Sequence, residues 1–372
     1  MPQNLSQGTF SIFLSDGISP STNLTRTIHP VGQGAFYSET FSVRREKLFT
    51  AVYDCGRNKN VSAAANIEKL HKVDLIFISH FHDDHINGIK EIQQNSNPLI
   101  VIPGISHYAF VIDLINNYLH TGDTRCDSIS FMLDCLPALR LAKNNSNKQK
   151  QIIITNIAKN SDLGAGFHVV REGVAAIPTL TPTDDSFLWC YDAYFHEYDK
   201  AKEKELILKL SERISMLAKH ISDDYQDEKW YRNLIEGLSE LDLKDIKKVF
   251  ASVYKGSPNR YSMLVHSYPM DNQNKNMDCL YTGDITITTQ PVKTTIININ
   301  PHYIQVPHHG SDHNYEETIY NKNQIAFISV GEKNKYGHPG RETLVGLIQK
   351  CKSVHMITED KESKYKCRFE LK

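Results

Sequence analysis

One short turn constrains this chain more than any other feature. His80-Phe-His82-Asp-Asp84-His85 gathers four metal-ligand side chains, His80, His82, Asp84 and His85, within six residues. Imidazole nitrogens and carboxylate oxygens are the donors that zinc and similar cations take at roughly 2.0–2.2 Å. Residues 73–79, just before the turn, are almost all apolar, as in a strand buried on both faces. Residues 86–94 then predict a helix, and 98–103 a second buried strand. This β–loop–α–β run puts the turn at the carboxyl end of a strand, where α/β sheets carry their sites. The turn can aim its donors at one ion or split them between two ions about 3.5–4 Å apart.

The rest of the chain predicts a scaffold around that turn. Residues 1–30 read as a loose segment. Strands are expected at 35–43 and 48–53, the latter running into Asp54-Cys55-Gly56, with a helix at 63–71. Residues 198–250 differ, because Leu206, Leu210, Ile214, Leu217 and Ile221 follow helical spacing. A second helix fits 227–238, with Trp230, Leu234 and Leu238 on one face, and a third starts from Asp242 as N-cap. This stretch reads as a helical insertion. Strands resume at 263–266, 279–282, 295–299, 303–306 and 326–330. A helix at 342–351 and strands at 353–358 and 366–371 close the chain.

Composition narrows the function classes. The net charge of −1, from 42 basic and 43 acidic residues, gives no global field to grip nucleic acid, but it says little about an enzyme that cuts it. The seven cysteines are scattered and form no CxxC pair, so neither a disulfide framework nor a thiolate zinc site is expected. The N-terminus lacks a basic segment followed by an apolar run, and no stretch approaches roughly 18 apolar residues. A soluble cytoplasmic protein with no membrane contact is the expectation.

Several further segments carry a resemblance. Phe77-Ile-Ser-His-Phe-His-Asp-Asp-His-Ile-Asn-Gly-Ile89 resembles the signature of the metallo-β-lactamase superfamily. Val31-Gly-Gln-Gly34, Asp54-Cys-Gly56, Leu280-Tyr-Thr-Gly-Asp284, Pro307-His-His-Gly-Ser311 and Ser329-Val-Gly…Asn334-Lys-Tyr-Gly-His-Pro339 follow in order. Together they resemble the hydrolase domain of the ComEC competence-protein family, over roughly residues 30–345 apart from the helical insertion. The resemblance implies a four-layer αββα sandwich, one domain over 1–372 with 198–250 inserted in it. It implies that His80 and His82 form most of a first metal position, that Asp84 and His85 belong to a second, and that Asp284 bridges both. Asp54 would accept a hydrogen bond from a ligand histidine. Neighbours on an extended chain point opposite ways, so only one of His308 and His309 is expected on a given ion. His309 is assigned to the second metal, and His308 to the substrate's oxygens. His338 is expected to contact substrate or act as general acid.

Two departures stand out. No P-G-H-T-like segment supplies a third histidine to the first position, and Ser257-Pro-Asn-Arg-Tyr-Ser262 stands where the ComEC-like pattern has an Asn-rich turn. His107, His168, His196 and His266 qualify by position only. Ala35 replaces an acidic residue after Val-Gly-Gln-Gly. The expected activity is hydrolysis of phosphodiesters, with nucleic acid a candidate substrate, by metal-bound hydroxide beside Asp84 and Asp284, with one or two Zn²⁺ ions or Mn²⁺ in their place. His308 or His338 would stabilise developing charge or protonate the leaving group. The alternatives are hydrolysis of a small ester, lactone or phosphoester, and a regulatory subunit of a multi-component bacterial antiviral defence system whose insertion docks a protein partner.

Overall fold

The computed structural model describes residues 9–14, 22–44, 46–58, 61, 67, 70, 72–144, 152–154, 166–170, 189–195, 200–214, 224–253, 261–269, 274–287 and 290–371. Among them the strands form two sheets. The first is ordered β14-β13-β12-β11-β10-β9-β1-β7. Its strands are β1 (Thr9–Leu14), β7 (Ile152–Ile154), β9 (Trp189–Tyr194), β10 (Leu264–Pro269), β11 (Cys279–Tyr281), β12 (Tyr303–Gln305), β13 (Ile325–Ser329) and β14 (Ser353–Ile357). The second is ordered β15-β2-β3-β4-β5-β6-β8. It contains β2 (Thr22–Ile28), β3 (Phe36–Val43), β4 (Glu46–Cys55), β5 (Leu75–Phe77), β6 (Leu99–Pro103), β8 (Gly166–Val170) and β15 (Tyr365–Glu370). Each sheet contains a parallel block, β11 to β14 in the first and β4-β5-β6-β8 in the second, and β1 and β7 also pair in parallel at the edge of the first.

The period of two along the strands decides what each face covers. In β11 to β13, Cys279, Tyr281, Tyr303 and Phe327 join the core between the sheets. The alternate residues Leu280, Ile304, Ala326 and Ile328 face outward into a separate core. That outer core is capped by helix α8 (Gln290–Ile299) through Val292 and Ile296, and by α9 (Arg341–Lys350) through Leu347. Aromatic rings interlock across the sandwich: Phe41–Trp189 at 5.4 Å, Phe77–Tyr191 at 5.6 Å and Tyr53–Tyr281 at 5.0 Å. The result is a mixed α/β fold of two sheets flanked by helices, the αββα sandwich.

A polar knot sits inside this apolar layer. Glu39, on β3, is 2% exposed and accepts from Arg26 Nε at 2.7 Å, Tyr281 at 3.0 Å, Tyr191 at 2.9 Å and Ser267 at 2.5 Å. The last three donors belong to the opposite sheet, so one carboxylate ties the two sheets in register.

The helices on the second sheet carry the site. They are α1 (Asp83–Ile86), α2 (Ile89–Asn95), α3 (His107–Thr121) and α4 (Asp127–Asn144). Helices α5 (Lys200–Arg213), α6 (Glu228–Ser239) and α7 (Leu243–Val253) lie against α3. Leu206, Leu210 and Ile214 are buried there as the helical spacing requires. On α6 the buried face is Tyr231, Leu234, Ile235 and Leu238, while Trp230 is only partly covered. Asp227 caps α6 by accepting from Trp230 N at 2.8 Å. Leu217, Ile221 and most of the helix expected at 63–71 lie outside the described residues.

Three expectations are corrected. Residues 1–30, read as a loose segment, hold the strands β1 and β2, which pair with β7 and β9 and with β3 and β15. Residues 295–299 form the end of α8 and not a strand. The β-branched run Thr295–Ile299 favours a strand locally, but Val292, Thr295 and Ile296 have the three-to-four spacing of a buried helical face, and packing overrides propensity. The helix expected at 86–94 begins inside the metal motif at Asp83 and breaks at Asn87-Gly88. There the Cys55 carbonyl approaches so closely that a Cβ on Gly88 would meet it at 2.2 Å. All seven cysteines are free thiols. Among the described residues no helix is long and apolar enough to cross a membrane.

Candidate metal centre

The site lies at the carboxyl ends of parallel strands from both sheets. Asp54 is at the end of β4, and Ser79 and His80 follow β5. Asp284 follows β11, His308 and His309 follow β12, and Ser329 ends β13. The Asp54 turn brings the backbone of Asp84 against Gly56. Ala35 N donates to Asp84 O at 3.0 Å, and a Cβ on Gly56 would lie 1.7 Å from that oxygen. Gly56→Ala should therefore destabilise the protein by about 1–3 kcal/mol or more through overpacking. It should also push Asp84 out of place. A urea midpoint equal to wild type would refute this close-approach argument.

The donors are prepared by hydrogen bonds from behind. Asp54, fully buried, accepts from Ser79 N, from the Ser79 hydroxyl and from His85 Nδ1, each at 2.7 Å. A serine hydroxyl has one proton, and this one goes to Asp54. Its oxygen is thus left to accept from His80 Nδ1 at 2.9 Å. His309 Nδ1 faces the Ser329 carbonyl at 2.9 Å, which only accepts. In the neutral form of all three rings these partners keep the proton on Nδ1, which leaves the lone pair on Nε2. Nε2 of His80, His85 and His309 is buried without a hydrogen bond of proper geometry.

Those nitrogens converge on carboxylates. His85 Nε2 lies 3.3 Å from Asp284 Oδ1, and His309 Nε2 lies 3.6 Å from both Asp84 Oδ2 and Asp284 Oδ1. Two overlapping ligand sets result, His80/His85/Asp284 and Asp84/His85/His309, each with donor atoms within 4.8 Å of one another. Buried lone pairs aimed at the buried carboxylate of Asp284 and the partly exposed one of Asp84 fit a divalent cation. Burial by itself would raise the carboxyls of Asp84 and Asp284. The neighbouring histidines instead hold both well below the usual range. Burial, with His85 and His82 beside it, keeps His80 well below its ordinary value. Burial also works against charge on His85, but Asp284 and Asp54 outweigh it and raise the ring.

Residues 43–194 match the family model of the metallo-beta-lactamase superfamily. The span includes Asp54, His80, His82, Asp84 and His85. That part of the chain is similar to the metallo-β-lactamase superfamily. No curated protein matches the chain. The superfamily implies a metal-dependent hydrolase that takes divalent ions, typically zinc.

Outside the matched span, the fold brings Asp284, His308, His309 and His338 to the same place. The Pro307–Gly310 turn is not extended. His308 (φ 50°) and His309 (φ 53°) are both left-handed, so the alternation argument used for this pair does not apply. Hydrogen bonding distinguishes them instead. Asn314 Nδ2 donates to His308 Nδ1 at 3.0 Å, leaving the His308 proton on Nε2, the reverse of His309. His338 is half-buried, with its ring 5.5 Å from His308, and the exposed Tyr336 stacks on it at 5.9 Å. Burial, aided by His308 and His309, pushes His338 down to about 4.

His82 stands apart, since neither ligand set includes it. Its Nε2 lies 3.4 Å from Asp113 Oδ1. Burial would lower this ring, but Asp113 and the other carboxylates raise it. Of the positional candidates for a third histidine, His107 packs among Tyr225, Trp230 and Tyr231 and His266 pairs with Asp278 at 3.1 Å, both in other surroundings. The His168 side chain and His196 lie outside the described residues. Asp83 accepts from Ser128 and Asn87, which accounts for the first Asp of the motif. The supporting residues that the sequence did not reveal are Ser79, Ser262, Asn314 and Asp113. Only Ser79, adjacent to the motif, carried a readable signal.

Proposed function

We propose that this metal-dependent hydrolase is a phosphodiesterase acting on nucleic-acid-type diesters. The observation that carries the proposal is the pair of overlapping donor sets sharing His85, with an Nε2–H donor, His308, beside them. Phosphodiester cleavage gathers negative charge on several oxygens, which suits two adjacent cations and a neutral donor. The ordered ComEC-like motifs from residue 31 to 339 support the same chemistry by resemblance.

In this reading, His80 and His82 would hold one cation, Asp84, His85 and His309 the other, and Asp284 would serve both. When bound, such ions lower the pKa of water and neutralise charge at the attacked centre. Asp54 and Ser79 keep His85 and His80 in the ligand tautomer. His308 offers its Nε2 proton to a non-bridging or leaving oxygen. His338, neutral at pH 7 because of its depressed value, acts as a hydrogen-bond partner and not as a cationic acid. The free thiols support the cytoplasmic location that belongs to the same proposal.

Purified protein loaded with Zn²⁺ or Mn²⁺ should hydrolyse bis-p-nitrophenyl phosphate and cut DNA or RNA, and a chelator should stop both. Hydrolysis of a lactone or thioester with no cleavage of any phosphodiester would overturn the proposal in favour of a small-ester hydrolase.

A further inference from the structure

His82 is the motif histidine that neither donor set includes; its ring lies 4.4 Å from that of His80, and its Nε2 is turned toward a carboxylate on a helix. Asp113, on α3, is fully buried. Its Oδ1 lies 3.4 Å from His82 Nε2, and it accepts a hydrogen bond from the Tyr261 hydroxyl. Its Oδ2 has no hydrogen-bond partner. One turn along α3, Asn117 Nδ2 donates to the Phe81 carbonyl at 2.6 Å. Residues four apart share a helix face, so two successive turns of α3 face the His80–His82 segment: Asn117 is bonded to its backbone, and Asp113 lies within ion-pair distance of the His82 ring, whose Nε2 makes no hydrogen bond of proper geometry. The next residue after Tyr261 continues the brace. Ser262 Oγ contacts His80 Nδ1 at 3.3 Å and accepts from Asp284 N at 3.1 Å. A buried carboxylate is stable only when paired, and the only histidine within ion-pair distance of Asp113 among the described residues is His82.

We propose that Asp113 is the positioning residue of the first metal position. It holds His82 through Nε2–H, so that Nδ1 is the nitrogen left for a cation, while His80 presents Nε2. The pair Asp113–Tyr261 would then do for His82 what Asp54–Ser79 does for His85 and His80. This explains why a carboxylate is buried on α3 with no other charged partner in reach among the described residues. It rests on the metal-centre reading above and extends it to a residue with no place in the motifs.

The test uses the full-length protein, stripped with chelator and titrated with Zn²⁺, alongside Asp113→Ala and Asp113→Asn. The readouts are the number of ions bound, the affinity of each, and thermal unfolding of the metal-free proteins. Asp113→Ala should weaken one of the ions by roughly 10–100-fold, the usual cost of losing the partner that orients a ligand histidine. Asp113→Asn should recover most of that affinity, since its amide oxygen still accepts from Nε2–H. Wild-type affinity in Asp113→Ala would overturn the inference and leave the metal-centre reading standing. Equal loss in both variants would also overturn it, because it would make Asp113 a direct anionic ligand. Absence of Zn²⁺ binding by the wild-type chain would remove both readings. If Asp113→Ala does not fold, Tyr261→Phe, which removes only the hydroxyl bond to Asp113, should lower the same affinity. Unchanged affinity in that variant would overturn the inference.

Discussion

Asp284→Ala should reduce phosphodiester hydrolysis by at least about 100-fold, above the roughly 10–100-fold that loss of an outer hydrogen-bond partner costs. It should also lower the metal content of the purified protein. Asp284 is the group that connects the two halves of the site: it faces His85 at 3.3 Å, His309 at 3.6 Å and His308 at 3.9 Å. Its removal leaves His85 and His309 turned toward a missing charge, so both ion positions weaken together. Elemental analysis and initial rates on the same preparation check this, with thermal unfolding as the folding control. Normal metal content and normal rates in a folded variant would remove Asp284 from the site.

Glu39→Ala should have the largest effect on stability, a loss of about 3–5 kcal/mol. The substitution leaves the Arg26 guanidinium, 0% exposed, without its counter-charge, and it strands the hydroxyls of Tyr191, Ser267 and Tyr281. Breaking one half of a buried ion pair costs more than never having had it. The double variant Arg26→Met/Glu39→Leu should accordingly recover much of the loss. Urea unfolding measures both. A Glu39→Ala loss below about 1 kcal/mol would mean that water replaces the carboxylate, and that the knot does not lock the sheets.

Much of the fold was legible because its signals are local. The apolar run before His80 reads as a buried strand, and the spacing through Leu206, Leu210 and Ile214 reads as a helix. The Asp227 and Asp242 caps set helix starts to within a residue. The reading failed where local preference and packing disagree. Thr295–Ile299 has strand-forming residues on a helical face. Asn87-Gly88 splits a helical pattern because a distant carbonyl occupies the space a side chain would need.

The same division applies to the metal centre. The sequence by itself supplied the candidate donors, since ligand chemistry resides in side-chain type and the turn from His80 to His85 concentrates it. It also marked Asp284 and His309 through their turns. Only the tertiary structure decided which nitrogen of each ring carries a proton, because that depends on partners such as Ser79, the Ser329 carbonyl and Asn314. It decided, too, that His308 and His309 differ by proton placement and not by strand alternation. Asp113 is the extreme case. On α3 it is one polar residue in a buried helix, and it acquires meaning only because that helix packs against the turn holding His82. A hydrogen bond is set by distance in space, and spacing along the chain does not encode it.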